Sequence, residues 1–540
     1  MEAQQEHPQK SVEKRALTAA LAAATIHNEL AANAKNATNG EHDMTVWQGI
    51  KQYRKAVFWS VVFSLCIVMD GYDLGFTGTL YAHPAFQAQF GEPYKNGYQI
   101  SAAWQTGFHV TGKVGNMIGV LLDGYFSERL GRRTVSLITL AMLAGLIFMQ
   151  FFAETLTVFL VGRFLAGVPI GVFQAAANTY AAEVCPTVLR SYLTTYVCLC
   201  WVMGQFICAG VTYELSKLHN EWGWRIIIAV QWAWIPPLLV LIWFAPESPW
   251  WLVREERYDE AEKMVMRLTD GSVNPKESVA MMIHTTRLEV ETGSGVSYLD
   301  CFKGTDLRRT EIACLVYGIQ AGVGNPLQAY TTYFFQQAGL PTSESFKLNI
   351  GNNATSFVGT MLTWPLLYYF GRRTVFFGGL CCMTVLYFAI GFAGIPDITN
   401  TSANWARSSL LIIYLFFYCP TVGATVYVIV GEVGASRLRS KTVALARNFY
   451  CLVAIISGII VPYMLNPTAW NWGAKAGFFY GGISIFCLVW VYLRLPEMKG
   501  RTYEELDILF DRRIAARRFK GECIDAYAEY DESTKIKGEA

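Results

Sequence analysis

Met69-Asp70-Gly71-Tyr72-Asp73-Leu74-Gly75 places two carboxylates inside an apolar run that extends from about Val57 to Leu80. A run of this length can cross a lipid bilayer as one helix, which needs roughly 20 residues. An acidic side chain within such a helix costs about 2.5–3.5 kcal/mol to insert, so its default interpretation is functional. The alternative for both carboxylates is a helix end at the headgroup level, where they would stay hydrated.

The composition is that of a membrane protein with several spans. Of the 540 residues, 53% are hydrophobic and only 16% are charged, whereas soluble domains carry about 25% charged residues. The net charge of +2, without a long basic run, gives no support for a nucleic-acid partner. Thirteen Cys and seven His show no metal-ligand or disulfide spacing. We therefore expect no metal, no cofactor and no enzymatic activity, and the lack of a phosphate-binding loop argues against ATP-driven transport.

Apolar runs along the chain predict twelve transmembrane helices, six before and six after a polar connecting segment. The chain divides into a polar tail (1–53), a first six-helix half (54–245), the connecting segment (246–310), a second half (311–494) and a charged tail (495–540). The charged amphipathic run Arg254–Leu268 in the connecting segment is typical of a helix at the membrane surface. The expected spans, numbered 1 to 12 below, lie at approximately 56–80, 104–124, 134–153, 157–180, 192–213, 224–245, 311–337, 350–369, 374–395, 409–431, 442–465 and 474–494.

Lys and Arg residues in the short loops predict the orientation of these spans. Cations cluster in the loops after spans 2, 4, 8 and 10, as in Arg129–Arg133 and Arg437–Lys441, whereas the opposite loops carry only scattered ones. We therefore expect both tails and the connecting segment on the cytoplasmic side of a multi-pass membrane protein. The glycosylation sequon Asn400-Thr401-Ser402 would then face outward.

An internal repeat relates the two halves. Gly131-Arg132-Arg133 returns 240 residues later as Gly371-Arg372-Arg373, and Pro246-Glu247 returns 250 residues later as Pro496-Glu497. Glu183, with Arg190 seven residues on, returns as Glu432 with Arg439. Three charged signatures in one order predict two six-helix halves in the same orientation, related by an axis along the membrane normal, as in carriers that rock between two states.

Opposite charges near the cytoplasmic ends of both halves are expected to act as gate latches. Such pairs would close the inner side while the outer side is open, and would separate when the halves rock. Each bond would stabilise the closed state by about 0.5–3 kcal/mol. The alternative, a positive loop that only sets topology, explains the cations but not the repeated Glu-to-Arg spacing. The second half has Tyr368-Tyr369 where the first has Glu128-Arg129, so that loop lacks its acid. The expected gate residues are Glu128, Arg129, Arg132, Arg133, Glu183, Arg190, Arg372, Arg373, Glu432 and Arg439.

Four motifs together carry a family resemblance. They are Gly124-x-x-x-Glu128-Arg129-x-Gly131-Arg132-Arg133, Gly162-Arg163 with the later Glu183-x-x-Pro186-x-x-x-Arg190, Pro246-Glu247-Ser248-Pro249-Trp250-Trp251-Leu252, and Pro496-Glu497-Met498-Lys499-Gly500-Arg501-Thr502. Over about residues 55–510 the chain resembles the sugar porters of the major facilitator superfamily, which implies an all-α membrane fold of twelve helices in two six-helix halves. Within that family, Tyr330–Gly339 and Leu189–Gln205 most resemble fungal α-glucoside (maltose-type) permeases, with lactose and cellodextrin carriers close by.

The resemblance implies a mechanism of proton coupling. In proton-driven sugar porters, an acid in the Gly-Tyr-Asp motif of span 1 pairs with the Arg of the Gly-Arg motif in span 4, here Asp73 and Arg163. A buried carboxylate near a cation stays ionised and takes a proton when the cation moves away. Asp70 lies on nearly the same helical face and could share the proton. The alternative for Arg163 is a structural arginine that snorkels to the surface; Lys113 in span 2 could neutralise a carboxylate, but the sequence does not indicate which.

The resemblance also places a substrate site near mid-membrane, where sugars need amide and hydroxyl partners and aromatic faces. Family members carry Gln-Gln-x-x-Gly-x-Asn in span 7, of which this chain keeps Gln320 and Gly324. Several usual amides are replaced, as by Cys198 in span 5, which fits a larger substrate such as a disaccharide. The alternative for the aromatic residues is an interface belt or helix packing. The expected substrate-binding residues are Gln205, Gln320, Asn325, Gln328, Tyr330, Tyr427 and Tyr450.

Two classes of function fit these observations. The first is a secondary active transporter that takes up a sugar, a disaccharide or α-glucoside, together with a proton by alternating access. The second is a transporter-like sugar sensor with little flux, and an uncoupled sugar facilitator is a further alternative. The expected partners are a small sugar, a proton and the lipid bilayer, with no nucleic acid and no obligate protein partner.

Overall fold

The computed structural model describes residue 33 and residues 44–94, 97–293, 298–324, 327–396, 400–435, 438–499, 503–519 and 522. Its architecture is the predicted one, with twelve spans in two groups of six. Ten spans are continuous α-helices: Arg54–Leu80, Ala102–Leu130, Arg132–Phe151, Leu156–Val184, Thr187–Leu215 and Trp222–Phe244 for spans 1 to 6, and Thr342–Tyr369, Arg372–Ala393, Arg439–Leu465 and Ala476–Arg494 for spans 8, 9, 11 and 12.

Spans 7 and 10 are broken in the middle. Span 7 consists of the helix Gly304–Ile319, a wide, π-helical turn at Gln320–Gly324, a short 3-10 turn at Gln328–Tyr330 and the helix Thr331–Gln337. Span 10 consists of the helices Thr401–Tyr418 and Ala424–Val433, separated by a wide turn at Cys419–Gly423. Pro420 lies in that turn and has no N–H to continue the helix. Irregular backbone at this depth is tolerated where it lines a cavity rather than lipid.

Nine of the described helices are long and apolar enough to cross a membrane by length and composition alone. The other three spans are 2, 7 and 8. Span 7 is interrupted, and spans 2 and 8 carry polar side chains such as Lys113, Asn349 and Asn352. These polar side chains lie inside the protein, so low hydropathy in these spans reflects their position at the cavity described below.

The remaining elements distinguish the two faces of the molecule. On one face, the loop side, lie the helices Val46–Gln52, Pro249–Arg254, Tyr258–Leu268, Pro275–Gly293 and Tyr503–Asp511 and the 3-10 turn Tyr298–Phe302. On the other, the far side, lie the helix Pro84–Phe90, the 3-10 turn Gly473–Lys475 and an antiparallel hairpin of Glu92–Tyr94 with Gly97–Gln99. That the loop side is cytoplasmic stays a prediction, as do the proposed domain boundaries.

The connecting segment differs from its prediction in two places. The amphipathic helix begins at Tyr258 rather than Arg254, because the chain turns at Glu256, whose φ is +58°. Span 7 begins at Gly304 rather than near 311. Its first turn is polar, and it packs on the C-terminal helix: Thr305 Oγ1 donates to Asp511 Oδ1 at 3.0 Å, and Arg309 pairs with Asp507. Contacts with protein therefore extend this helix beyond its apolar stretch.

Close packing between spans 1 and 5 sets the position of the two carboxylates in span 1. A Cβ on Gly71 would lie 2.2 Å from the Trp201 carbonyl oxygen, and one on Gly204 would lie 2.0 Å from the Val68 carbonyl oxygen. The backbones can approach this closely only because both positions are glycine. Asp70 and Asp73 flank Gly71 and are thereby held at the inner wall of the first half.

Candidate functional site

Asp73 and Arg163 form a buried ion pair between spans 1 and 4. Arg163 Nη1 lies 2.5 Å from Asp73 Oδ1, and each side chain is 7% exposed. The guanidinium also lies over the Phe76 ring, with Cζ 5.1 Å from the ring centroid. Arg163 therefore contacts span 1 rather than the membrane surface. Removal of one partner would leave a buried charge uncompensated, which costs about 3–5 kcal/mol.

Asp70 lies one turn earlier and has different partners. Its Oδ2 accepts hydrogen bonds from Trp201 Nε1 and, at 3.0 Å, from Gln174 Nε2. Gln174 Oε1 in turn accepts a hydrogen bond from Arg447 Nη2 at 3.0 Å. Asp70 is therefore buried among polar groups inside the protein, not at a helix end. Hydrogen bonds through Gln174 connect it to Arg447 in span 11 of the second half.

Three adjoining cavities lie between the halves, with volumes of about 790, 720 and 480 Å³. They form one central cavity, since Leu74 and Lys113 line all three. Asp73 and Arg163 line the smallest part, and Asp70 lines the smallest and the 720 Å³ part. All predicted substrate-binding residues that the structure describes line the central cavity: Gln205, Gln320, Gln328, Tyr330, Tyr427 and Tyr450. Asn325 lies outside the described residues.

The lining of the central cavity combines amide groups with ring faces. Gln328 Nε2 of the second half donates to Gln205 Oε1 of the first half at 2.9 Å. Gln320 Nε2 donates to the Gly423 carbonyl at 2.7 Å, so the two broken spans meet at a backbone group freed by the wide turn. The rings of Trp201 and Tyr427 stack across the halves with centroids 6.3 Å apart. Such a surface can offer hydrogen bonds and apolar contact to a polar, ring-shaped molecule.

Sequence reasoning missed several residues that line this cavity. The most consequential is Arg447. Its position inside an apolar span could have identified it from the sequence, because charged residues within a membrane span usually have a function. Span 8 contributes Asn349, Asn352 and Asn353, whose i, i+3, i+4 spacing puts them on one helical face. Trp201 and Gln174 had no distinguishing sequence pattern.

The far side of the central cavity is closed by contacts between the halves. Gln336 Nε2 donates to the Ala82 carbonyl and Asn466 Nδ2 to the Ile100 carbonyl, both at 2.9 Å. The rings of Tyr81 and Tyr330 stack with centroids 5.8 Å apart, and both side chains are buried. A molecule in the cavity is therefore separated from the far side.

The repeated charged motifs form equivalent networks at the loop side of each half. Arg132 Nη2 lies 3.2 Å from Glu183 Oε1, and Arg372 Nη2 lies 3.0 Å from Glu432 Oε1. Both pairs join spans within one half, because the start of span 3 or 9 meets the end of span 4 or 10. The second Arg of each motif donates to a carbonyl at the end of span 6 or 12: Arg133 to Trp243, and Arg373, at 2.8 Å, to Tyr492.

The expected latch at Glu128 and Arg129 is not formed in this conformation. Both side chains are exposed; Arg129 lies over the Tyr125 ring, and neither forms an ion pair within the described part of the chain. They lie on the last turn of span 2. The side chains of Arg190 and Arg439 lie outside the described residues, so their latch role stays a prediction.

The Pro-Glu motifs cap the helices that follow the Gly-Arg-Arg motifs. Glu247 Oε1 accepts hydrogen bonds from the N–H of Arg132 at 2.8 Å and of Arg133 at 3.2 Å. Burial raises the pKa of Glu247, although these N–H groups and that of Ser248 favour its charged form. A Cβ on Gly131 would lie 2.7 Å from Glu247 Oε2. The glycine is therefore required for the carboxylate to reach the helix N-terminus.

The second half repeats this cap with one change at the end of span 8. Glu497 Oε2 accepts a hydrogen bond from the Thr374 N–H at 3.4 Å. Where the acid of the first half is missing, Lys499 Nζ donates to the carbonyls of Tyr368 and Tyr369 at 2.8 and 3.0 Å. A cation on the last carbonyls of a helix is favourable, so Lys499 stabilises the C-terminal end of span 8.

Comparison with known proteins gives sequence relatives over most of the chain. The sugar (and other) transporter family matches residues 59–510. The general alpha-glucoside permease of Saccharomyces cerevisiae is 38% identical over 515 residues, which cover 93% of this chain and 83% of that protein. A maltose permease of the same yeast is 37% identical over 511 residues, which again cover 93% of this chain and 83% of the permease.

Solved structures share the fold at lower sequence identity. The proton:xylose symporter XylE bound to 6-bromo-6-deoxy-D-glucose has a TM-score of 0.68 at 22% identity, over 85% of this chain and 100% of XylE. XylE from E. coli in a partially occluded inward-open conformation has a TM-score of 0.68 at 19% identity, over 83% of this chain and 99% of XylE. Both are membrane carriers of the major facilitator superfamily. The chain therefore belongs to the sugar (and other) transporter family of that superfamily, a family of transporters rather than enzymes.

Proposed function

We propose that this protein takes up a saccharide, of disaccharide size and of the α-glucoside class, together with a proton, by alternating access in the plasma membrane. The observation that carries the proposal is the buried ion pair of Asp73 and Arg163 at the wall of the central cavity. The loop side is cytoplasmic in this proposal, as the distribution of Lys and Arg predicts.

The ion pair supplies the chemistry for the proton. With Nη1 2.5 Å from Asp73 Oδ1, the Arg163 guanidinium supplies the counter-charge that a buried carboxylate needs. If span 1 moves away from span 4, a buried carboxylate is left without its counter-charge, and it then binds a proton more readily. Asp70, held by the neutral donors Trp201 and Gln174, is a second acceptor for that proton.

The lining of the central cavity supports a saccharide as the other substrate. The Tyr330 hydroxyl and Gln320 Oε1 are buried and lack a hydrogen-bond partner among the described residues. Buried polar atoms normally have partners, so the hydroxyl groups of a sugar would satisfy them. The names of the yeast relatives support the α-glucoside class.

The contacts between the halves support alternating access. The hydrogen bonds from Gln336 and Asn466 to the backbone of the first half must break when the far side opens. The described ion pairs at the loop side stay within one half, so each half can move as a unit. We propose that four other charged residues contact the opposite half when the loop side is closed: Glu128, Arg129, Arg190 and Arg439.

Sugar-induced proton uptake tests this function. Cells without their own sugar carriers would express the protein, and the external pH would be followed after addition of maltose, lactose or cellobiose. Asp73→Asn is the test variant, and Asp259→Asn, at an exposed position in the helix Tyr258–Leu268, is the matched control. We expect alkalinisation with one of the sugars in the wild type and in the control, and none in Asp73→Asn.

Two other outcomes would change the proposal. Sugar uptake by the wild type without a pH change would establish an uncoupled facilitator and reduce Asp73 to a structural role. Absence of uptake for all sugars, despite expression at the cell surface, would favour the sugar sensor.

A further inference from the structure

Two cations that line the central cavity, Lys113 and Arg447, form no ion pair with any residue that the structure describes. Lys113 of span 2 and Arg447 of span 11 both line its 720 Å³ part together with Asp70. In the part of the chain that the structure describes, neither cation forms an ion pair with a carboxylate. Arg447 donates to Gln174 and lies over the Tyr450 ring, with Cζ 4.6 Å from its centroid. Charges in a protein interior are normally paired, so these two cations call for a counter-charge.

The carboxylates of the cavity do not balance these cations. Asp73 is already paired with Arg163. Asp70 can offset only one positive charge, whether it acts on Lys113 or on Arg447. Among Asp70, Lys113 and Arg447, the cavity therefore has one positive charge in excess when Asp70 is ionised, and two when it is protonated. A neutral sugar would leave this excess uncompensated.

We propose that the central cavity accepts a saccharide that carries a carboxylate, such as a disaccharide oxidised to an aldonic acid, and that Lys113 binds this carboxylate. The inference rests on the proposed transport of a saccharide and narrows its substrate class. An anion in the cavity restores charge balance, and a charged hydrogen bond in a site with little water is stronger than one in bulk solvent.

Lys113 is better placed than Arg447 to hold the anion. Arg447 already donates to Gln174 and packs between Tyr450 and Tyr317. Lys113 is only half-buried and lines all three parts of the cavity, including the part that borders Asp73 and Arg163. Its flexible side chain carries three donors at its end and can reach a ligand in any of these parts. The carboxylate would therefore lie on the span 2 side of the cavity.

The proposal also changes the charge that crosses the membrane. One carboxylate taken up with one proton is an electroneutral transport step, whereas one neutral sugar with one proton moves one positive charge. Uptake of the acid sugar should therefore respond to a pH gradient but not to the membrane potential. Uptake of a neutral sugar through the same cycle should respond to both.

Uptake of maltobionate and of maltose by the purified protein in proteoliposomes tests this inference. The measured quantity is the ratio of the two initial rates at low concentration, with an imposed pH gradient and with or without a membrane potential. The variants are Lys113→Gln and Lys113→Arg, and the control is Lys217→Gln, a lysine whose side chain is 56% exposed. Correct folding of each variant is checked by size-exclusion chromatography.

The expected result is transport of maltobionate by the wild type that is insensitive to the membrane potential. The ratio of the maltobionate rate to the maltose rate should fall at least about tenfold in Lys113→Gln, which corresponds to the loss of one charged hydrogen bond. It should recover in Lys113→Arg and stay unchanged in Lys217→Gln. Transport of maltose but not maltobionate by the wild type would overturn this inference and leave the proposed function intact. An equal loss of both activities in Lys113→Gln would also overturn it. Failure to transport either sugar would count against the proposed function itself.

Discussion

Gly131→Ala should destabilise the protein through the N-terminus of span 3. Gly131 has φ 83° and ψ 158°, a conformation almost confined to glycine, and another residue there costs about 1–3 kcal/mol. The added Cβ would lie 2.7 Å from Glu247 Oε2, so the carboxylate must retreat from the N–H groups of Arg132 and Arg133. Loss of this charged cap costs a further ~1.5–3 kcal/mol. The free energy of unfolding should therefore fall by roughly 2.5–6 kcal/mol.

Thermal unfolding of the purified protein in detergent measures this effect. Gly145→Ala is the matched control in the same span, because a Cβ there meets no atom within 4 Å and alanine favours a helix by about 0.5–1 kcal/mol. We expect a lower Tm for Gly131→Ala than for the wild type, and an equal or higher Tm for Gly145→Ala. Equal Tm values for the two variants would refute the requirement for glycine at position 131.

Three other variants test single contacts at the cavity. Tyr330→Phe removes a hydroxyl that has no partner in the described part of the protein; the KM for the sugar should rise about 3–10-fold with an unchanged Tm, and an unchanged KM would contradict contact with substrate. Gln336→Ala removes a far-side hydrogen bond to Ala82 worth about 1 kcal/mol. It should raise the far-side-open population roughly fivefold, measured by the distance between spin labels on the far-side ends of spans 1 and 7; an unchanged distance distribution would contradict this. Arg163→Met should lower the free energy of unfolding by about 3–5 kcal/mol, and adding Asp73→Asn should restore most of it, whereas additive losses would argue against the pair.

The spans were predictable because a segment that crosses the lipid must be a long run of mostly apolar residues in a helix. The positions of cations between these runs then predicted the orientation of the spans. The bounds of span 7 were not predictable in this way. Its polar first turn from Gly304 is stabilised by the C-terminal helix Tyr503–Asp511 rather than by lipid, and such a contact between distant segments leaves no local pattern.

The candidate site was predictable where a motif specifies a residue pair, as for Asp73 and Arg163. It was not predictable where the rotation of a span decides the direction of a side chain, as for Trp201 and Gln174. The same limit applies to the loop-side charges. The repeated spacing suggested that Glu183 acts with Arg190, but its partners in the described structure are Arg132 and Arg254. The start of span 3 and the helix after span 6 both meet the end of span 4 there.

The most direct test of proton coupling through Asp73 and Arg163 compares two transport assays on Asp73→Asn in proteoliposomes. One assay is equilibrium exchange of labelled maltose, which needs alternating access but no proton. The other is accumulation of maltose against its gradient, driven by an imposed pH gradient. Coupling through the ion pair predicts that Asp73→Asn retains exchange and loses accumulation, while Asp259→Asn retains both. Accumulation at the wild-type level in Asp73→Asn would contradict it.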